Sequence, residues 1–115
     1  MSTAPLSDLD YHAAADRALA AIEAAADAWL DDGVIDIDTH RAGGLLELEL
    51  PDRSKIIINK QAPLHEIWLA AKLGGFHFKW VDGAWRDTRD GVAFFVRLSE
   101  QLTAQAHQPL VIDAP

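Results

Sequence analysis

Apolar residues at Tyr11, Ala15, Ala18, Ile22, Ala26 and Trp29 follow one another at intervals of three or four, the spacing that lines one face of an α-helix. Ser7, with Asp10 three positions on, resembles a capping box at its start. Gly33 can supply a left-handed cap, so the pattern predicts a first helix ending near Asp32. After Gly33 the period becomes alternating. VIDID (34–38) sets Ile35 and Ile37 against Val34, Asp36 and Asp38, and LLELEL (45–50) sets Leu46, Leu48 and Leu50 against Leu45, Glu47 and Glu49; both predict strands with one wet face. SKIIIN after the turn PDRS, LHEIWLA after the break at Pro63, FHFKW after Gly74-Gly75, and a short strand around Trp85 after Asp82-Gly83 extend this into an antiparallel meander. Asp90 is placed to cap a second helix, whose Phe94, Phe95, Leu98 and Leu102 form an apolar stripe that ends before Pro109. The order helix, strands, helix predicts an α+β two-layer sandwich, with both helices on one face of an antiparallel sheet and the other face open to solvent.

The 115 residues, 50% hydrophobic, suit one compact domain spanning 1–115. The chain has no cysteine, which excludes disulfides, zinc-thiolate sites and thiolate-held iron-sulfur clusters. A metal would have to sit on oxygen or imidazole. The polar, acidic start MSTAPLSDLD is unlike a targeting peptide, and no apolar run approaches the roughly 20 residues of a membrane span, so a soluble cytoplasmic protein is expected. The net charge of -8 is unevenly distributed. Residues 1–40 hold Asp8, Asp10, Asp16, Glu23, Asp27, Asp31, Asp32, Asp36 and Asp38 against the single base Arg17, whereas residues 41–115 are formally neutral. This asymmetry argues against nucleic acid and anionic membranes as partners and for a cation or a basic protein surface.

At about 100° per residue, His12, Asp16, Glu23 and Asp27 fall on one flank of the helix's apolar face and form a ridge. Asp36 and Asp38 extend it if their strand lies at the sheet edge beside the helix. Asp27, Asp31 and Asp32 sit in the last helical turns, where the dipole is negative and each carboxylate costs about 0.3 to 1 kcal/mol. Glu23 with Asp27, and Asp27 with Asp31, are like-charged pairs four apart, each unfavourable by about a few tenths of a kcal/mol. Acids that serve only solubility need not stand where they repel one another, so the ridge reads as a site awaiting a cation or a basic partner. Carboxylates without thiolates suit hard ions such as ferric iron, calcium and manganese. Neither an EF-hand nor an H-E-x-x-H motif is present.

In HEIWLA, Ile67 and Leu69 share one parity and Glu66, Trp68 and Ala70 the other. With the apolar pair facing the helices, Trp68 lies on the open face beside Glu66, either as an exposed anchor for a protein partner or partly covered by its neighbours. Glu47, Glu49, Ile57 and Asn59 line the same outer surface. No nucleophile elbow, phosphate loop or paired acid and base is evident, so no enzyme is expected.

KIIINKQAPLHEIWLAAKLGGFHFKW (55–80), with Trp85, DTRDG (87–91) and the helix opening VAFFVRLSE, strongly resembles the frataxin family in its bacterial form. The likeness covers nearly the whole chain. It implies an α-β sandwich and weak binding of ferrous and ferric iron; the carboxylate chemistry by itself lets other hard divalent cations compete. It also implies a regulatory role in iron-sulfur cluster assembly through a cysteine desulfurase, with the iron-sulfur scaffold protein as a second partner. Carried over by position, the metal ridge is Asp16, Glu23, Asp27, Asp31, Asp32, Asp36 and Asp38 with His12 nearby, and the partner surface is Asn59, Lys60, Gln61 and Trp68. The expected state is a monomer that metal can drive into oligomers. Ala24 and Ala28 thin the ridge relative to the family pattern. An iron chaperone, store or ferroxidase is the competing reading, and an interaction domain whose acids serve only solubility is a third.

Overall fold

The computed structural model describes residues 6–115. Helix α1, Asp8–Asp31, starts where the Ser7 hydroxyl accepts the Asp10 amide at 3.1 Å, relieving one of the first turn's unpaired donors. It ends in a Schellman motif: Val34 N–H reaches the Trp29 carbonyl at 2.8 Å and Gly33 N–H that of Leu30 at 3.1 Å. Gly33 adopts φ +70° there, which a residue lacking Cβ does without strain.

Six strands follow: β1 (Asp38–Ala42), β2 (Leu45–Glu49), β3 (Lys55–Gln61), β4 (Glu66–Ala71), β5 (Gly74–Val81) and β6 (Ala84–Asp87). They form one antiparallel sheet in sequential order. Helix α2, Phe94–Ala106, closes the fold. A 3₁₀ turn, Ala62–Leu64, containing Pro63, separates β3 from β4. Both helices cover one sheet face, as the α+β reading expects. The core is built from Leu46, Leu48, Ile56, Ile58, Ile67, Leu69 and Phe78 on the inner face of the sheet, Tyr11, Leu19 and Ile22 of α1, and Phe94, Leu98 and Leu102 of α2. Burying each large side chain contributes about 1.5 to 3 kcal/mol. Beyond α2 the chain returns along the helix: Ser99 and Thr103 accept the amides of Ile112 and Leu110, both at 3.0 Å, and Leu110 and Ile112 are buried.

Three local expectations are corrected. VIDID is not a paired strand, because β1 starts only at Asp38, opposite Glu49. The partner runs out there: after Leu50 the chain turns at Pro51, whose nitrogen cannot donate, and among the described residues no strand pairs with 34–37. Ile37 is nevertheless buried and Asp36 exposed, as the alternation implies. The β4–β5 hairpin turns at Lys72 and Leu73, and Gly74 already pairs with Ala71. Asp90 does not cap α2, whose N-cap is Ala93. Instead Asp90 accepts the Val92 amide at 3.0 Å and binds the Arg97 guanidinium, tying the preceding loop to the helix. By contrast Asp82 and Gly83, at φ +50° and +81°, make the two-residue hairpin turn that such a pair favours.

Candidate functional site

Strand alternation decides what each candidate residue can reach. In β1, Arg41 pairs with Leu46 and Thr39 with Leu48, so these two share the inner, helix-facing side. Asp38 and His40 pair with Glu49 and Glu47 and lie on the outer side. β1 is an edge strand, and α1 lies beside it.

Arg41 answers part of the charge puzzle. Its guanidinium forks between two carboxylates of α1 two helical turns apart: Nη1 to Glu23 Oε1 at 2.8 Å and Nη2 to Asp16 Oδ1 at 3.3 Å. Lys60 Nζ adds a second cation on Asp16 Oδ1 at 2.8 Å. The hydrogen bond from Lys60 holds the Asp16 carboxyl below the usual carboxylate range against a modest desolvation, with the charges of Lys60, Arg41 and His12 adding to the effect. The Lys60 side chain is only 12% exposed, and its stem lies over Gly44, where an added Cβ would come within 3.2 Å of the Lys60 Cβ. Asp16 and Glu23 are therefore not free ligands.

The rest of the ridge differs. Asp27, Asp31, Asp32 and Asp36 are exposed, and among the described residues none of them takes part in an ion pair. No basic residue stands in the last turn of α1, so this end keeps both the mutual repulsion and the unfavourable dipole. Asp38, one step further, turns to the outer sheet face beside Glu49 rather than continuing the helix-side line. His12 lies at the other end, where Asp8 is flanked by His65 Nε2 at 3.0 Å and His12 Nε2 at 3.9 Å. The hydrogen bond with His65 holds the Asp8 carboxyl below its ordinary value, with the charges of both histidines assisting. The His65 ring stacks on Tyr11 with centroids 4.7 Å apart. Among the described residues no three His, Asp or Glu side chains are gathered closely enough to cage an ion. The donor chemistry fits a loosely held hard cation, and the geometry does not form a closed site.

On the outer face, Asn59, Trp68 and His77 form one cross-strand row, and Gln61, Glu66 and Lys79 the next. Trp68 is half-buried rather than standing free: its ring stacks on His77 with centroids 4.2 Å apart and planes 8° off parallel. Its indole N–H donates to Glu66 Oε1 at 2.7 Å. Glu66 is buried, not water-facing, and also meets Lys79 at 3.8 Å and His77 at 4.0 Å. These contacts fix the Trp68 rotamer and leave a rigid, partly open aromatic surface. Lys60 does not share it. Lys60 pairs with Ile67 on the inner side, so the expected surface of Asn59, Lys60, Gln61 and Trp68 is divided between the two faces.

A cavity of about 730 Å³ lies away from all these residues, among Ala14, Ala18, Trp80, Phe94, Phe95 and the tail at Ile112. Its lining is mainly apolar. Of the residues that bear on the ridge, sequence reasoning missed Arg41. The usable signal was Gly43-Gly44, a two-residue hairpin turn that makes Arg41 a strand residue opposite Leu46 and thus aims it at the helix.

A frataxin-like domain is matched over residues 4–108. An iron-sulfur cluster assembly protein, CyaY, of Paraburkholderia xenovorans is 54% identical over 109 residues, covering 95% of this chain and all of the relative. The protein of the same name from a Polaromonas species is 50% identical over 110 residues, covering 96% of this chain and 95% of the relative. Among solved structures, a frataxin from Psychromonas ingrahamii superposes with a TM-score of 0.79 at 32% identity, over 96% of this chain and 99% of that one. A trimeric frataxin from Saccharomyces cerevisiae, complexed with ferrous iron, superposes with a TM-score of 0.65 at 28% identity, over 94% and 92% of the two chains. With its meander, its two helices on one face and these likenesses over nearly its full length, the chain belongs to the frataxin family.

Proposed function

We propose that this protein serves iron-sulfur cluster assembly as a non-enzymatic, iron-binding regulator or adaptor in the cytoplasm. Its acidic edge docks on a basic surface of a cysteine desulfurase, and the open sheet face around Asn59, Gln61 and Trp68 contacts a second component, the iron-sulfur scaffold protein. The observation that carries this reading is the uncompensated end of α1. Asp27, Asp31, Asp32 and Asp36 are exposed, mutually repulsive and without an internal cation, although the same chain supplies Arg41 and Lys60 to the acids further up the helix. The close relatives' name, iron-sulfur cluster assembly protein, gives the pathway. The yeast frataxin complexed with ferrous iron supports iron as a ligand. Here ferrous or ferric iron binds weakly on the carboxylates of the ridge, and other hard divalent cations compete because no closed ligand set selects among them.

Binding to purified desulfurase across a salt series tests the docking surface. Affinity is expected to fall steeply with ionic strength. The double change Asp27→Lys with Asp31→Lys is expected to weaken binding at least tenfold, about 1.4 kcal/mol. Binding that is indifferent to salt and survives the double change removes the ridge from the interface.

A further inference from the structure

We infer that Arg41 is a built-in occupant of the ridge, seated with Lys60 on Asp16 and Glu23 where a free cation would otherwise bind, so that the ridge admits cations only along Asp27 to Asp36. The inference rests on the reading of the ridge as a cation-binding edge and assigns the residue that sets its capacity. The guanidinium spans both carboxylates, with contacts of 2.8 and 3.3 Å, and stays charged at every working pH. Asp16, Glu23, Arg41 and Lys60 together carry no net charge, whereas Asp27, Asp31, Asp32 and Asp36 carry four negative charges and no partner among the described residues.

An ion entering between Asp16 and Glu23 would have to break charge-assisted hydrogen bonds and then sit beside two displaced cations. One of them, Lys60, is largely enclosed, its stem fixed against Gly44, and has little water to retreat into. The register of β1 makes the arrangement intrinsic to the fold, because the pairing of Arg41 with Leu46 turns the side chain toward α1. Replacing the guanidinium by a neutral group should convert a closed stretch of ridge into an open one.

The test is a titration of the full ¹⁵N-labelled chain with Mn²⁺ alone, reading paramagnetic broadening residue by residue in the wild type, Arg41→Gln and Arg41→Lys. In the wild type, broadening is expected to be strongest over residues 27–36 and to fade along α1 toward Asp16, about 16 Å from Asp27 at about 1.5 Å per residue. In Arg41→Gln it should spread over 13–24, with apparent Mn²⁺ affinity there rising about fivefold, the effect of removing one nearby like charge at the surface. Arg41→Lys should restore much of the wild-type pattern. Equal broadening of both stretches in the wild type, or an Arg41→Gln pattern identical to the wild type, overturns the assignment while leaving the cation reading intact. No broadening anywhere in any of the three proteins overturns both. A metal-free double-mutant cycle between Arg41→Gln and Glu23→Gln, followed by urea unfolding, reads the contact itself. Measurable coupling supports the occupant role, and strict additivity removes it.

Discussion

Tyr11 is the only tyrosine in the chain, and the fold encloses it completely. Its hydroxyl donates to the Glu66 carbonyl at 2.7 Å across the helix–sheet interface. Burial pushes its pKa up to about 12, because the phenolate would be stranded without water. The folded state thus binds the phenolic proton more tightly than the unfolded chain, whose phenol titrates near 10. The stability this proton contributes is complete below about pH 10 and is lost as pH rises toward about 12. Phenolate absorbance should accordingly appear near pH 12 in the native protein and near pH 10 in concentrated urea; a native titration at the urea value would show the ring to be solvated. Tyr11→Phe removes this hydrogen bond across the helix–sheet interface and should cost about 0.5 to 1.5 kcal/mol, measured by urea unfolding. The position of Tyr11 in the core was legible from its helical spacing, but its hydrogen bond was not, since it joins residues 55 apart in sequence. The placement of Lys60 was legible and overlooked. It shares parity with the buried Ile56 and Ile58, so alternation alone turns it to the helix side, whereas the family likeness groups it with Asn59 and Trp68.

Elements whose boundaries were set by strong local chemistry emerged from the sequence nearly intact. Ser7 and Gly33 frame α1, and Asp82-Gly83 turns the last hairpin, because a side-chain cap or a positive φ has few substitutes. Boundaries set by a partner elsewhere did not. VIDID alternates as a strand should, but pairing needs a neighbour, and Pro51 diverts β2 before it can supply one. Asp90 precedes α2 as a cap would, yet Arg97 and the Val92 amide engage it first. The acidic end of α1 is the clearest conflict between an element's stability and its composition. Replacing Asp31 by Lys adds a favourable charge at the negative helix end and removes the repulsion with Asp27, so it should stabilise the fold by about 0.5 to 1.5 kcal/mol. Thermal or urea melts of Asp31→Lys check this. A neutral or destabilising result would mean that the local repulsion is already relieved in the free protein.

Across the whole molecule, the excess charge is gathered at one edge, and the rest of the chain is formally neutral. The edge formed by the end of α1 and the start of β1 carries the excess negative charge. On the far side, Lys79, Arg86 and Arg89 stand on or just after β5 and β6, balanced by Asp82, Asp87 and Asp90. The Arg41 and Lys60 contacts divide the acidic edge into a neutralised stretch and an open one, and the two respond oppositely to salt. Screening weakens the ion pairs only modestly, since they are contacts of about 3 Å, well inside a Debye length of about 8 Å at physiological ionic strength. The repulsions among Asp27, Asp31, Asp32 and Asp36 act over longer, exposed paths and are screened more fully. With a net charge of -8, self-repulsion should dominate the balance. Raising NaCl from about 20 to about 200 mM should therefore raise the melting temperature, and the gain should shrink in the Asp27→Lys, Asp31→Lys protein, where much of the repulsion is gone. A melting temperature that falls with NaCl would show that the Arg41 and Lys60 contacts outweigh the open end of the ridge. An equal rise in both proteins would place the relevant repulsion outside it.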